Sequence, residues 1–131
     1  TTYGVGEMIK DAISKGCRNF VMGIGGSATN DGGIGMLQAL GFDILDKDGK
    51  PVAVSGAGLK DVYTVSCVNA IKELKECTFN VACDVENPLC GEFGCSSVYG
   101  PQKGATPEIV KEMDLWLNAY ADIAKKTFPK F

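Results

Sequence analysis

The residues best suited to chemistry lie in one run, Gly23-Ile24-Gly25-Gly26-Ser27-Ala28-Thr29-Asn30-Asp31-Gly32-Gly33. An apolar run leads into it and an apolar helical pattern follows. A glycine-rich turn in that setting leaves backbone N–H groups unpaired and lacks the Cβ atoms that would hold an oxyanion away. Ser27 and Thr29 add hydroxyls, Asn30 an amide and Asp31 a carboxylate. The run is not a Walker loop, because it has no Gly-Lys-Ser/Thr ending. It also misses Gly-x-Gly-x-x-Gly, since Ala28 stands at the third glycine position counted from Gly23. The residue types specify a site for a small acid or a phosphate. A tight strand-to-helix connection with no ligand would use the same glycines.

Two further groups extend that chemistry. Asp84 follows the apolar run 78–83 and precedes Asn87-Pro88-Leu89. In open α/β sheets, ligands sit beyond the carboxyl ends of the strands. If the strands near 19–24 and 78–83 are parallel neighbours, Asp31 and Asp84 should face one crevice. There they would hold magnesium through water or act on a hydroxyl as a general base. The plainer reading of Asp84 is a local Asx-turn. Lys103, in Tyr99-Gly100-Pro101-Gln102-Lys103-Gly104-Ala105-Thr106, lies just ahead of a strong helix signal, where an ammonium can meet phosphate oxygens. Taken alone it is a solvated loop lysine. Together the three groups supply anion donors, a carboxylate and a cation, which phosphoryl transfer requires.

These residues need elements to position them. Val5, Met8, Ile9, Ala12 and Ile13 recur at helical spacing, with Thr2 as cap and Gly16 as stop. Residues 19–24 form a short apolar run expected to be a strand buried on both faces. Ile34, Met36, Leu37 and Leu40 predict a short helix ended by Gly41. Segments 42–46 and 51–54 flank Asp48-Gly49 and predict a hairpin. Strands are expected at 63–68 and 78–83, and a short helix within 92–99. Thr106 caps a helix that begins at Pro107 and carries Glu108 in its first turn. Its apolar face is Ile109, Met113, Trp116, Leu117, Tyr120 and Ala124, and core packing accounts for it. The expected fold is one α/β domain over 1–131, a layered structure with a mixed β-sheet covered by helices.

Bulk properties narrow the partners. A net charge of −3 with no histidine offers no footprint for nucleic acid, and no run approaches a membrane span. No N-terminal signal pattern marks the chain for export, so a cytoplasmic setting is expected. The chain opens Thr1-Thr2 without methionine, which suggests an excised segment. Six cysteines lack Cys-x-x-Cys spacing, and there is no histidine to complete a zinc site. Cys17, Cys67, Cys77 and Cys83 sit in apolar runs and read as small buried hydrophobes. Cys90 and Cys95 flank a loop where pairing or metal binding is an alternative, but reduced thiols fit better.

Three motifs are similar in type, order and spacing to those of the bacterial type I glycerate kinases. They are Ile24-Gly25-Gly26-Ser27-Ala28-Thr29-Asn30-Asp31-Gly32-Gly33, Ala82-Cys83-Asp84-Val85 with Asn87-Pro88-Leu89, and Tyr99-Gly100-Pro101-Gln102-Lys103-Gly104-Ala105. The opening Thr1-Thr2-Tyr3-Gly4-Val5-Gly6-Glu7 resembles that family too. The resemblance runs over nearly the whole chain and implies ATP-dependent phosphorylation of D-glycerate, usually at the 2-hydroxyl, with Mg2+. Members of that family are much longer, which makes this chain the central domain of a two-domain enzyme lacking its N- and C-terminal portions. On that reading, residues 25–30 hold carboxylate or phosphate and Asp31 orients or deprotonates the acceptor hydroxyl. Asp84 places the magnesium, and Lys103 offsets charge on the phosphoryl group. A kinase cleft must enclose two substrates, so this chain alone should be nearly inactive. The rival expectation is a silent domain that binds a small carboxylate or phosphate.

Overall fold

The computed structural model describes residues 1–129. Helix α1 (Tyr3–Ser14) is followed by strand β1 (Asn19–Gly23), helix α2 (Ile34–Ala39) and strand β2 (Asp43–Leu45). Strands β3 (Thr64–Ser66) and β4 (Thr78–Ala82) are each preceded by a 3-10 turn, over Gly56–Asp61 and Lys72–Glu76. Helix α3 (Cys95–Tyr99), the 3-10 turn Pro101–Lys103 and the long helix α4 (Pro107–Thr127) complete the chain. The α/β character, with parallel and antiparallel pairing packed by helices, matches expectation. The pairing divides into two small sheets: β1 beside β4 in parallel, and β2 beside β3 antiparallel.

Local chemistry explains most boundaries. Gly16 (φ 93°) ends α1: its N–H donates to the Ile13 carbonyl, and the Cys17 N–H donates to the Ala12 carbonyl, both at 3.0 Å. Gly41 closes α2 in the same way, with N–H groups 41 and 42 donating to carbonyls 38 and 37. These are Schellman endings. Thr106 caps α4 as predicted, with Oγ1 accepting from the Ile109 N–H. Thr2 stands at the cap position of α1, but its side chain makes no capping bond. Its hydroxyl is engaged elsewhere, as described below.

Two expectations about strands need correction. The Asp48-Gly49 turn forms, with the Asp46 N–H donating to the Lys50 carbonyl at 2.8 Å, yet 51–54 does not become the return strand. Pro51 has no N–H to offer a ladder and leaves a single bridge to Leu45. β3 pairs with β2 instead, in the register Asp43↔Ser66 to Leu45↔Thr64. The second correction concerns burial. Residues 19–23 are not enclosed on both faces: Phe20 and Met22 are half-buried toward α1, while Val21 is 79% exposed, and every residue of β4 is exposed.

The main core joins Ile34, Ile44, Val52, Leu59, Val65, Leu117 and Tyr120, so the predicted stripe of α4 packs inward. A second core joins Ile9, Ile13 and Leu40, with Phe20 and Met22 against it. The two meet through α1 and α2, whose contact depends on Gly6. A Cβ there would lie 2.5 Å from the Met36 carbonyl oxygen and 2.6 Å from the Ala39 Cβ. Gly6→Ala should therefore cost about 2 kcal/mol in urea unfolding, because well-packed contacts tolerate no added methyl. Gly4→Ala, where a Cβ meets open space, should instead be neutral or stabilise by up to ~1 kcal/mol through helix propensity.

All six cysteines are free, in keeping with reduced thiols. Cys17, Cys67 and Cys83 are exposed and Cys77 is half-buried, so they are not the core residues expected from their apolar neighbours. Burial, followed by the nearby Asp114 carboxylate, raises the Cys90 thiol above its ordinary value; burial likewise raises Cys95. Less thiolate at a given pH means slower alkylation. In mass-spectrometric footprinting at pH 8, Cys17, Cys67 and Cys83 should label first. Cys90 and Cys95 should lag and catch up only as pH rises past the usual thiol range. No helix among the described residues is long and apolar enough to cross a membrane.

Candidate active site

β1 and β4 lie parallel with Gly23 opposite Ala82, so the chain leaves both strands at the same end of the sheet. Beyond that end opens a cleft of about 250 Å³. Gly25, Gly26 and Ser27 form one side, Asp84 and Val85 another, and Tyr99, Gln102 and Lys103 a third. Three segments far apart in sequence, at 25–27, 84–85 and 99–103, thus converge as the strand-end rule requires. A neighbouring hollow of about 500 Å³ shares Gly26, Ser27, Gln102 and Lys103 and adds Ala28 and Gly104.

The loop is built to present amides. Among the described residues, the N–H groups of Gly25, Gly26, Ser27 and Ala28 donate to nothing within the chain. A Cβ at Gly25 or Gly26 would meet only open space, so the backbone is approachable from the cleft. The Lys103 ammonium donates to Ser27 Oγ at 2.9 Å and to the Thr29 carbonyl at 2.7 Å. An ammonium has three N–H donors, which leaves one for a ligand. The Ser27 hydroxyl donates to the Thr29 carbonyl at 3.2 Å, so this residue's free donor is its amide.

Asp31 is placed differently from expectation. It is 1% exposed and faces the interior, away from Asp84 and the cleft. Its Oδ2 accepts from the Thr2 N–H at 2.7 Å and the Thr2 hydroxyl at 3.0 Å, while Oδ1 accepts from the Gly33 N–H at 3.1 Å. Thr2 Oγ1 accepts in turn from the Met36 N–H at 2.9 Å. The start of α2 therefore spends its amides on Thr2 and Asp31, and the anion-binding helix end expected there is closed. Gly32 and Gly33 lie consecutively at φ 59° and 80°, a backbone course that only glycine takes easily, and it folds the Asp31 carboxylate back under the loop.

Asn30 is also drawn inward. Its Nδ2 donates to Ser96 Oγ at 2.9 Å, and Ser96 is fully buried on α3. Thr29 reaches the site through its carbonyl alone. Residues 25–27, Asp84 and Lys103 are thus brought together, Ala28 lies in the adjoining hollow, and Thr29, Asn30 and Asp31 support the loop from behind. Tyr99 and Gln102 were not singled out in sequence, although both stand in the same motif as Lys103. The α3 helix and the following 3-10 turn bring positions 99, 102 and 103 to one side, a periodic signal that was available. The Tyr99 hydroxyl donates to Asn87 Oδ1 at 2.8 Å, which joins the Asn87-Pro88 segment to the cleft wall.

Among the described residues, no three Asp, Glu or Cys side chains cluster as a metal cage. Asp84 is the carboxylate that lines the cleft among the described residues. Magnesium is commonly held by one or two carboxylates, with phosphate and water completing the shell, and that donor set fits Asp84. A larger groove of about 700 Å³ runs between α2, β3 and α4, but its lining is apolar apart from Lys125 and the Tyr120 edge, and no polar groups converge there.

An open amide loop, one carboxylate and one cation meet at the carboxyl ends of two parallel strands of an α/β protein, a donor set whose chemistry suits a small anion. The glycerate kinase family profile matches residues 1–130, and the chain belongs to that family. It is 52% identical to a glycerate kinase of Haemophilus influenzae and 44% identical to the glycerate 2-kinase of Escherichia coli K12, each over 96% of its length. A crystal structure of a Salmonella typhimurium LT2 protein assigned as glycerate kinase 2 superposes with a TM-score of 0.93 at 46% identity over 97% of this chain. The chain spans about a third of the length of these relatives: 33% of the two curated proteins and 34% of the solved one.

Proposed function

We infer that these residues form one wall of the cleft in which D-glycerate is phosphorylated at its 2-hydroxyl by ATP with Mg2+, giving 2-phosphoglycerate. The observation that carries this reading is the convergence of the open loop 25–27, Asp84 and Lys103 on one cleft. Family membership and relatives named for glycerate phosphorylation support it.

The free amides of Gly25, Gly26 and Ser27 bind the carboxylate of glycerate or the phosphoryl oxygens. Lys103 brings positive charge to the same place through its remaining N–H. Donors fixed in advance toward developing charge are the strongest single device for phosphoryl transfer. Asp84 either takes the proton of the acceptor hydroxyl or holds the metal through oxygen and water ligands. MgATP supplies the phosphoryl group, with its charge partly neutralised. Asp31 acts on the loop's shape rather than on the hydroxyl. The free thiols suit a reducing, cytoplasmic setting.

The test uses a full-length chimera in which these residues replace the matching third of the Haemophilus influenzae relative. With D-glycerate and MgATP, phosphorus NMR should show 2-phosphoglycerate from the chimera and essentially none from the 131-residue chain. Robust turnover by the short chain would overturn the one-wall reading. The alternative of a silent acid-binding domain predicts thermal stabilisation by glycerate and phosphoglycerate, none by MgATP, and no product even from the chimera.

A further inference from the structure

The walls of the cleft come from distant parts of the chain, and one short helix reaches all of them. α3 runs from Cys95 to Tyr99 and leads through Gly100 into the 3-10 turn that carries Lys103. On the loop side, Ser96 Oγ accepts from Asn30 Nδ2 at 2.9 Å, and the Cys95 thiol donates to Asn30 Oδ1 at 3.5 Å. Consecutive residues of α3 thus hold both ends of one amide side chain. On the Asp84 side, the Tyr99 hydroxyl donates to Asn87 Oδ1. Ser96 is the fully buried member of this set, while Asn30, Cys95 and Tyr99 are half-buried.

From Ser96 the backbone is hydrogen-bonded stepwise to the lysine. The Gly100 N–H donates to the Ser96 carbonyl at 2.9 Å. The Gly100 carbonyl accepts in turn from the N–H groups of Lys103 at 2.9 Å and Ala105 at 3.1 Å. Pro101 fixes one φ angle on the way. Gly100 also lies against α4, where a Cβ would stand 3.1 Å from Val110 Cγ2. Asn30 is backed by Gly56, whose Cβ would lie 2.9 Å from the Asn30 carbonyl oxygen. A stiff path therefore joins the loop to the root of Lys103, and the Asn30–Ser96 bond is its buried side-chain link. The bonds from Lys103 to Ser27 and Thr29 do not set that spacing, because an ammonium on a flexible four-carbon stem can follow a displaced loop. Breaking the buried bond instead leaves the Asn30 amide unpaired or makes it swing away.

We propose that Ser96 is a positioning residue for phosphoryl transfer: through Asn30, its hydroxyl fixes the distance between the amides of 25–27 and the Lys103 ammonium. It touches neither substrate nor reacting atoms and acts through Lys103. The assignment rests on the reading of the cleft as a glycerate kinase site, in which Lys103 meets the transferred charge.

A double-mutant cycle in the full-length chimera tests it, with rates taken per folded molecule. Ser96→Ala should lower kcat about 10- to 100-fold with KM changed less than about threefold, as expected when a group acting in the transition state is displaced by roughly 1 Å. In the Lys103→Met background the same substitution should cost less than about threefold, because the group it positions is gone. Asn30→Leu keeps the side chain's shape without its donor and should reproduce both results, which covers the case that Ser96→Ala does not fold. The proposal fails if kcat stays within about threefold of the parent in both single variants. It fails equally if the loss is as large in the Lys103→Met background as in the parent. A parent chimera that makes no 2-phosphoglycerate sinks the functional reading instead, and hydrogen exchange then decides on Ser96. The amides of Gly100, Lys103 and Ala105 should exchange about tenfold faster in Ser96→Ala than in the parent, with those of 115–125 in α4 unchanged. Equal exchange at those three amides would refute the link.

Discussion

Replacing Asp31 with alanine should cost about 3 kcal/mol of folding stability in the 131-residue chain, measured by urea unfolding. The carboxylate is buried and accepts three hydrogen bonds, from the Thr2 N–H, the Thr2 hydroxyl and the Gly33 N–H. Removing it leaves those donors unpaired in a partly buried setting, and each buried unpaired donor costs about 1–3 kcal/mol. The loss spreads, because Thr2 also holds the Met36 N–H and so joins the start of α1 to α2. A probe on Tyr120 reads the same change. Burial, and after it the Asp31 carboxylate, raises the Tyr120 phenol above its ordinary value. A raised phenol favours folding below about pH 10, and that contribution is lost as pH rises through the folded value. In Asp31→Ala the phenol should titrate earlier, so the alkaline loss of stability, which starts at the unfolded value in both proteins, should be smaller and complete at lower pH. Asp31→Asn in the chimera then separates the two possible roles. A general base contributes roughly 10²- to 10⁴-fold to rate, whereas a buried anchor contributes little once the protein is folded. The expected result is a lowered melting midpoint with turnover per folded molecule within about tenfold of the parent. A 1,000-fold loss of turnover at unchanged stability would return Asp31 to the role of base.

Asp31 also marks how far residue types can be read. The strand, glycine loop and short helix around it were legible because apolar runs and glycine stops act locally. The direction of its carboxylate was not, since its partner Thr2 lies 29 residues away and was itself read as a helix cap. The pairing of β2 failed for a related reason: the Asp-Gly turn is a strong local signal, but Pro51 weakens the return strand and β3 competes from further along the chain. The strand at 19–23 was visible as an apolar run, yet its burial on both faces was misjudged, since Val21 is 79% exposed. Apolar composition reports a strand's propensity rather than which neighbour covers each face, and α1 packs on the face that carries Phe20 and Met22. Cys83, read as a buried hydrophobe, is exposed just beyond β4, whose residues are exposed as well. The convergence of 25–27, Asp84 and Lys103 was legible because it needed only parallel neighbours and the strand-end rule. Tyr99 and Gln102 passed unnoticed because neither carries a charge.

Lys103→Met in the chimera should lower kcat/KM for glycerate by about 10³-fold. Loss of one preorganised donor to a developing oxyanion typically costs 10²- to 10³-fold, and here the donor also carries charge. Loop order is a competing explanation, because the same ammonium bonds Ser27 Oγ and the Thr29 carbonyl. Lys103→Gln separates them. Its shorter amide still donates hydrogen bonds but brings no charge. If tethering is the main role, glutamine should recover much of the rate and hydrogen exchange over 25–29 should return toward the parent. If charge is the main role, exchange should recover while kcat stays depressed at least ~100-fold, with KM moving much less. That split is the expected outcome, since a group acting mainly in the transition state lowers kcat and kcat/KM together. A glutamine variant with near-parent kcat would reduce Lys103 to a tether. The phosphoryl charge would then have to be met by a cation outside these 131 residues.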